Sequence, residues 1–373
     1  GTTCARVGCM PSKVLIQVAN DYDRRKKYQQ MGIAGGEGLT LDHVQVMRHV
    51  RALRDRFVRA VKTPMSEWEG KLLRGRAQFI DAHTLQVGGE SFLADKIIIA
   101  TGSRPIIPAP WLKFKDHLID TEAFFELERL PATVAVLGLG VIGVELGQAL
   151  VRLGVDVVGI TTNRAIGGLS DPKIQDYVVS KFIGEMPLHF NGAEFVGVGK
   201  NNKLQIKADS KVYEVDRALV TVGRRANIDN IGLEKLNIHL NAQGIPDFDM
   251  NTMKLKELPH IFLPGDVNAD RPILHEAADE GIIAGHNAVN DEQCFRRKVN
   301  LGVTFSEPNI AVVGKRFEQL LASGQEFAIG EVSFEGQGRS IVKLKEQGLL
   351  RLYADKKRMF GKNRSSGNCL PTL

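Results

Sequence analysis

The chain has 373 residues, of which 43% are hydrophobic, so it is long enough for two or three domains with buried cores. Its net charge of +6 is spread along the chain and only 6% of residues are aromatic, so a nucleic-acid-binding surface is not expected. The longest apolar stretch, Val134–Val144, is too short and glycine-rich to span a bilayer, and the opening residues do not have the charged-then-apolar pattern of a signal segment. Four cysteines do not form a secreted disulfide framework, and we therefore expect a cytoplasmic protein.

The first predicted element is a helix that starts near Thr3 and carries both Cys4 and Cys9. The other cysteines and the histidines lack zinc-site spacing, so no metal is expected. Helix positions i and i+5 lie roughly 8–9 Å apart at Cα, too far for a disulfide, so this turn must be distorted, and Gly8 and Pro11 permit the distortion. A strained bridge at a helix N-terminus is easily reduced, which favours a catalytic dithiol over a structural bridge; two separate buried cysteines stay an alternative.

Further along, apolar residues at helical spacing predict a second helix over Leu41–Gly70. Short strands follow, AQFID and TLQVGG, and then KIIIATG at Lys96–Gly102. Three consecutive isoleucines predict a strand that is buried on both faces, as parallel strands are. Prolines 105, 108 and 110 then interrupt the pattern, and we place a domain boundary there.

A strand–turn–helix–strand unit begins at Thr133 with TVAVLGLGVIGVELGQALVRLGVDVVGI. Its turn holds Gly138, Gly140 and Gly143 in a GxGxxG pattern. The first glycine permits the tight turn, the second permits backbone approach to a pyrophosphate, and the third permits close packing of helix on strand. The complete context favours a dinucleotide site, with a merely structural tight turn as the alternative.

The choice between NAD and NADP depends on the residues that follow the second strand of this unit. An acid there would bind the ribose 2′-hydroxyl of NAD, but the region reads VVGITTNR and has no carboxylate. Arg164 is placed to meet a 2′-phosphate, which favours NADP slightly. An ordinary exposed loop arginine explains Arg164 equally well.

The remaining chain predicts a buried strand at Ala218–Arg224, another at His260–Asp266, and a helix over Ile273–Ala288. From residue 298 onward the pattern is that of an α+β module with too few helices to cover its strands. A helical piece lies near Glu318–Ser323, and the tail Arg358–Leu373 has the pattern of disordered or foreign sequence. The strands predicted in this module are VNLGVTF, IAVVG, GEVSF, SIVKLK and GLLRLYAD.

The motifs GTTCARVGCMPSK, IIIATGSRP, GLGVIGVE, VGRRAN and FLPGD occur in this order. Together they resemble the flavin-dependent pyridine nucleotide–disulfide oxidoreductases, and most of all the members that oxidise dihydrolipoyl groups. The resemblance runs from Gly1 to about Asp355. It implies an α/β fold with two Rossmann-like, three-layer nucleotide-binding domains, the FAD domain interrupted by the NAD(P) domain, plus a truncated α+β dimer-interface domain. The implied domains are 1–115 and 228–297 for FAD, 116–227 for NAD(P), 298–357 for dimerisation, and an aberrant tail at 358–373.

The resemblance also implies roles for four catalytic residues. Cys4 is the interchange thiol that reacts with the disulfide substrate, and Cys9 lies against the flavin and exchanges electrons with it. Lys13 approaches the flavin ring, and Glu145 is its salt-bridge partner from the nicotinamide domain. An acid early in a helix is favourable in any case, which explains Glu145 without the resemblance.

The implied cofactors are FAD and NAD or NADP. Asp266 is expected to bind the ribityl chain of the flavin, and the helix start near His275 is expected to face its pyrimidine edge. Ala226 departs from the proline usual at that place in the family. The residues implied to bind FAD are Lys13, Thr101, Gly102, Gly265, Asp266, His275 and Ala277; those implied to bind the nicotinamide nucleotide are Gly138, Gly140, Gly143, Arg164, Gly223 and Arg224.

Two family features are not in the sequence. The GxGxxG that binds the ADP half of FAD would precede Gly1, and a His–Glu pair that serves the partner subunit's active site would follow Asp355. We therefore interpret the chain as an incomplete enzyme, expected to be inactive alone and to form a homodimer in its full-length form. The alternatives are a non-catalytic remnant that only binds nicotinamide nucleotide, or another disulfide reductase of the family.

Overall fold

The computed structural model describes residues 3–355, so the predicted tail at 358–373 lies outside the described residues. The first region is helical at its start and then consists of short strands. The second predicted helix is confirmed; it begins after Asp42, whose carboxylate accepts hydrogen bonds from the N–H groups of Val44 and Gln45. The elements are α1 (Thr3–Val7), α2 (Cys9–Asp23), α3 (His43–Lys62), β1 (Ala77–Phe79), β2 (Thr84–Val87), β3 (Glu90–Leu93), β4 (Ile97–Ile98) and β5 (Ser103–Pro105).

The single helix predicted to carry both cysteines is wrong, because the chain breaks between α1 and α2 at Gly8. Gly8 has φ −130° and ψ −119°, and a Cβ there would lie 3.0 Å from the carbonyl oxygen of Thr3. The predicted distortion between the cysteines is therefore present. Pro11 lies in the first turn of α2, where an N–H has no intrahelical partner to lose.

The middle region contains a five-stranded parallel sheet in the order β6-β13-β7-β8-β9. A separate antiparallel sheet is formed by β10, β11 and β12. The predicted βαβ unit is confirmed, since β7 and β8 pair in parallel and α5 connects them. The elements are β6 (Leu118–Ile119), α4 (Thr121–Phe124), β7 (Thr133–Leu137), α5 (Val141–Arg152), β8 (Asp156–Ile160), α6 (Pro172–Phe182), β9 (Leu188–His189), β10 (Glu194–Val198), β11 (Leu204–Ala208), β12 (Lys211–Val215), β13 (Arg217–Val220) and β14 (Arg224–Ala226).

The parallel sheet is the central one of three layers. Because side chains alternate along a strand, Val134 and Val136 of β7 enter a core with α5 and α6, whereas Ala135 and Leu137 enter a core with β10–β12. The first core also includes Leu15 of α2. The helix that starts at Cys9 is therefore packed against the helix that follows the glycine turn, which brings the two predicted sites together.

In the third region, β15 (Ile261–Phe262) pairs in parallel with β4, and α7 (Leu274–Val289) follows. The predicted burial of β4 on both faces is wrong, because Ile98 is 44% exposed while Ile97 and Ile99 are buried. Among residues 3–355, only one face of this short strand is covered. The expected parallel pairing itself is present.

The last region consists of two antiparallel hairpins and two short helices: β16 (Leu301–Thr304), β17 (Ile310–Val313), α8 (Phe317–Ala322), β18 (Phe327–Ser333), α9 (Gly338–Val342) and β19 (Leu349–Asp355). The strand predicted from SIVKLK is wrong; this stretch begins as α9, whose start is capped by the side chain of Gln337. The predicted domain limits stay a prediction. Within residues 3–355 we find no helix with the length and apolar character needed to cross a membrane.

Candidate redox and nucleotide-binding site

The two cysteines lie on either side of the helix break and are half-buried free thiols. Cys4 donates a hydrogen bond to Cys9, the first residue of α2. This hydrogen bond lowers the pKa of Cys9 to about 7, and the nearby charge of Lys13 acts in the same direction against the effect of burial. The same hydrogen bond, together with burial, raises the pKa of Cys4. Cys9 is therefore the sulfur that ionises first.

Lys13 lies one turn beyond Cys9 on α2 and forms an ion pair with Glu145 of α5. The distance from Lys13 Nζ to Glu145 Oε2 is 2.6 Å, and the Glu145 side chain is only 4% exposed. Packing of α2 on α5 creates this contact between residues that are 132 positions apart. The structure thus brings Cys4, Cys9, Lys13 and Glu145 together, and their catalytic roles stay a prediction.

Sequence reasoning missed Phe305, which lies directly after β16. Its backbone N–H donates to Glu145 Oε1 at 2.9 Å, and its ring centroid lies 4.6 Å from Lys13 Nζ. The stretch VTFSEP held no pattern that would assign a role to one aromatic residue. Phe305 therefore belongs to the site through tertiary contact alone.

The glycine turn after β7 has the close approaches that its spacing predicts. A Cβ on Gly143 would lie 1.9 Å from the carbonyl oxygen of Gly138, and a Cβ on Gly138 would lie 2.7 Å from that of Thr221. Gly140 precedes α5 without a side-chain cap, and a Cβ there would meet no protein atom within 4 Å. The turn therefore leaves uncapped N–H groups at the helix start and open space beside them, which fits a pyrophosphate.

A pocket of ≈ 180 Å³ lies at this helix start. It brings together the three separate segments expected to hold the nicotinamide nucleotide: the glycine turn, the end of β13 and the start of β14. The predicted residues Gly140, Gly223 and Arg224 all line it, and the residues present fit the nicotinamide nucleotide. The other lining residues are Pro105, Thr121, Val141, Ile142, Val220 and Thr221.

A chain of hydrogen bonds connects the residues expected on the flavin side with this pocket. Ser103 Oγ donates to Asp266 Oδ2 at 2.9 Å, and Arg224 Nε donates to the same hydroxyl at 2.8 Å. Asn227 donates hydrogen bonds to the carbonyl oxygens of Thr101 and Gly102, the two residues before β5. Ser103 and Asn227 were not predicted, and they connect the two regions expected to bind different cofactors.

The start of α7 is also uncapped by any side chain. Gly265 is held by Glu280, whose Oε2 accepts the Gly265 N–H at 2.6 Å, and a Cβ on Gly265 would lie 3.5 Å from the Cβ of Ala277. His275 lies exposed in the first turn of α7. An uncapped helix start beside the Asp266 carboxylate fits the polar edge and the ribityl chain expected of FAD.

Arg164 lies outside the lining of the pocket, in the loop after β8. Its Nη2 is 2.8 Å from Asp176 Oδ1 on α6, and its guanidinium lies 5.0 Å from the ring centroid of Phe190. Both partners of the ion pair are at least half exposed. No group of three or more side chains that could ligate a metal occurs within residues 3–355.

A parallel sheet with a glycine turn, packed against a helix whose first residue is one of two neighbouring free cysteines, defines a nicotinamide-linked disulfide oxidoreductase. The sequence profile of the family described as pyridine nucleotide-disulphide oxidoreductase matches residues 1–289. The chain belongs to this family, as the motifs predicted. The family and the dihydrolipoyl dehydrogenases among its relatives use FAD and NAD(P), so the predicted cofactors are confirmed at that level.

Curated relatives of two activities match almost the whole chain. The dihydrolipoyl dehydrogenase of Bacillus subtilis (strain 168) is 28% identical over 366 residues, covering 95% of this chain and 77% of the relative. The dihydrolipoyl dehydrogenase of Trypanosoma brucei brucei is 29% identical, with the same coverage. The mercuric reductase of Staphylococcus aureus is 28% identical and covers 94% of this chain and 65% of the relative. These relatives support a disulfide oxidoreductase without deciding its substrate.

Among solved structures, the HOCl-induced flavoprotein disulfide reductase RclA from Escherichia coli superposes with a TM-score of 0.80. It is 21% identical in sequence, and the match covers 96% of this chain and 79% of that chain. This similarity establishes the fold. The predicted α/β class with Rossmann-like domains is confirmed.

Proposed function

We propose that this chain carries electrons between NAD(P)H, FAD and a redox-active Cys4–Cys9 pair, and that its substrate is a dihydrolipoyl group, free or bound to a protein. The observation that carries the proposal is the placement of two free thiols on either side of the helix break at Gly8, with the Lys13–Glu145 ion pair one turn beyond Cys9. The Cys4 thiol and the charge of Lys13 both lower the pKa of Cys9, to about 7. A thiol of lowered pKa at a helix start beside a lysine is the setting of a reactive cysteine.

The proposed step is a thiol–disulfide exchange that starts from the oxidised Cys4–Cys9 bridge. A substrate thiolate attacks the sulfur of Cys4, a substrate–Cys4 disulfide forms, and the Cys4–Cys9 bond breaks with Cys9 leaving as thiolate. The second substrate thiol then attacks the mixed disulfide, so the substrate leaves as a cyclic disulfide and Cys4 is released. Two electrons pass from the dithiol to the cysteine pair. The low pKa of Cys9 makes it the better leaving group of the two.

Bound FAD would supply two-electron exchange between the cysteine pair and the nicotinamide nucleotide. Toward it the chain contributes Lys13, whose ammonium is held in place by Glu145, and the Ser103–Asp266 pair beside the uncapped start of α7. The N–H groups at the uncapped start of α5 would hold the pyrophosphate of the nicotinamide nucleotide. Arg164, released from its exposed ion pair with Asp176, would bring its charge to the 2′-phosphate of NADPH, and this is the basis of a slight preference for that nucleotide.

The division into FAD regions at 1–115 and 228–297, a nicotinamide domain at 116–227 and an interface domain at 298–357 remains part of the proposal. The separate core around Ile97, Ile261 and Leu263 supports a flavin domain distinct from the sheet of β6–β9. A homodimer formed through residues 298–357 is the proposed assembly. The relatives favour a dihydrolipoyl substrate because the first three that match carry that activity.

The test uses the protein in its full-length form, purified with added FAD. Oxidation of dihydrolipoamide is measured by NAD(P)H formation in wild type, Cys4→Ser and Cys9→Ser, with the exposed Cys294→Ser as matched control. Both site variants should lose the activity, because neither sulfur resolves the mixed disulfide alone. Cys294→Ser should retain it.

The same proteins separate the alternatives by their absorption. Two-electron reduction should produce a long-wavelength band between thiolate and flavin; Cys4→Ser should show this band without reduction, and Cys9→Ser should lose it. Full dithiol activity in either single variant would overturn the redox pair. A colourless protein that still binds NAD(P)H would favour the non-catalytic remnant that only binds nucleotide. Reduction of Hg²⁺ in place of dithiol oxidation would favour an activity like that of the mercuric reductase.

A further inference from the structure

A buried polar stripe on α5 holds the segment that contains Phe305. Glu145, Gln148 and Arg152 are spaced so that they share one helix face, and their exposures are 4%, 3% and 7%. Gln148 makes two 2.8 Å hydrogen bonds to the backbone of Glu307, and Arg152 Nη1 lies 2.9 Å from Glu307 Oε2. The backbone after β16 is therefore fixed against the helix that starts at the nucleotide turn.

At the first residue of this stripe, the Glu145 carboxylate uses each oxygen once. Oε1 accepts the Phe305 N–H at 2.9 Å, and Oε2 is 2.6 Å from Lys13 Nζ. A buried carboxylate without such partners is strongly destabilising, so both contacts determine how it is oriented. The same ammonium lies over the Phe305 ring, with 4.6 Å between Lys13 Nζ and the ring centroid.

We propose that Phe305 is a positioning residue of the redox site: its backbone N–H orients Glu145, and its ring holds the Lys13 ammonium beside Cys9. This inference rests on the proposed function, because it assumes that the charge of Lys13 acts on the Cys9 sulfur. It also connects the region after β16 with the redox pair. Lys13 is one third exposed and flexible, so removal of the ring frees it to move toward solvent.

The test measures the rate of Cys9 alkylation by iodoacetamide against pH, with the modified peptide quantified by mass spectrometry, and it needs no bound cofactor. Phe305→Leu keeps the backbone N–H and removes the aromatic face. Loss of a surface cation–π contact in this variant should lower the Cys9 alkylation rate at pH 7 by about threefold. The midpoint of the rate–pH profile should move to higher pH. Phe305→Tyr keeps the aromatic face and should match wild type. The control is Phe334→Leu, at an aromatic residue that directly follows β18 and is 38% exposed; it should match wild type too.

A double-mutant cycle distinguishes positioning from a structural role. Lys13→Met should itself raise the midpoint, and Phe305→Leu should add no further shift in that background. An equal shift in both backgrounds would show that Phe305 acts on the fold rather than through Lys13, and would overturn the proposal. An unchanged midpoint in Phe305→Leu, or a shift in Phe305→Tyr as large as that in Phe305→Leu, would overturn it too.

The result is independent of the test of the proposed function. If the positioning role fails while Cys4→Ser and Cys9→Ser still lose dithiol oxidation, the redox pair stands without Phe305. If Lys13→Met leaves the Cys9 midpoint unchanged, the charge of Lys13 does not act on Cys9, and the positioning proposal is overturned as well.

Discussion

Replacing Gly143 and Gly147 separately by alanine should change stability in opposite directions, although both glycines are buried in α5. A Cβ on Gly143 would lie 1.9 Å from the carbonyl oxygen of Gly138, whereas real Cβ atoms essentially never approach within 3.0 Å. The helix start must therefore move by about 1 Å, the difference between these two distances, away from the turn. A Cβ on Gly147 would have its nearest neighbours at 3.5 Å, an ordinary contact distance.

The magnitudes follow from these two distances. A shift of about 1 Å opens a gap along a well-packed helix, and overpacking of this kind costs about 3 kcal/mol at the upper end of its usual range. Gly147→Ala should instead stabilise by about 0.5–1 kcal/mol, because alanine reduces the entropy of the unfolded chain and favours the helix. The two variants should thus differ by about 4 kcal/mol.

Urea unfolding followed by circular dichroism measures both variants against wild type. Because Gly143 packs against Gly138 in the turn whose N–H groups are expected to hold the pyrophosphate, the displaced helix should also weaken binding of NADPH, measured by calorimetry. Gly147→Ala should bind NADPH as wild type does. A Gly143→Ala free energy of unfolding within 1 kcal/mol of wild type, or a larger loss in Gly147→Ala, would refute the close packing on which this reasoning depends.

Three further predictions concern the cysteine pair and the nucleotide. Cys4→Ala removes the hydrogen-bond donor and should raise the alkylation midpoint of Cys9 from about 7 toward its ordinary 9.0, while Cys4→Ser keeps a donor and should leave it low; equal midpoints would contradict the donor role. Gly140→Val should abolish NADPH binding by calorimetry, since a side chain there blocks backbone approach to the pyrophosphate; unchanged affinity would end that reading. Arg164→Ala should weaken NADPH binding more than NADH binding, and Asp176→Asn should strengthen NADPH binding; an equal response to both nucleotides would make Arg164 an ordinary surface residue.

Local patterns predicted some elements well and failed where packing overrides them. The apolar run before the glycines predicted β7, and the glycine spacing predicted the turn and α5, because these depend on neighbours in the sequence. The stretch SIVKLK has strand-forming residues, yet it begins as α9 because Gln337 caps a helix there. The run of isoleucines in β4 was read as fully buried, but the burial of Ile98 depends on what covers the sheet rather than on the strand itself.

The sequence by itself determined the βαβ unit, the uncapped nucleotide turn and the presence of a paired, distorted cysteine motif. Each is specified within a short stretch by glycine spacing, hydrophobic period and backbone freedom at Gly8. The resemblance implied the pairing of Lys13 with Glu145, but only the tertiary structure shows this contact and adds Phe305 to it. Lys13 and Glu145 are 132 positions apart and Glu145 and Phe305 are 160 apart, so no local pattern relates them. Burial of apolar side chains between α2 and α5 brings these helices together, and the polar contacts follow from that packing.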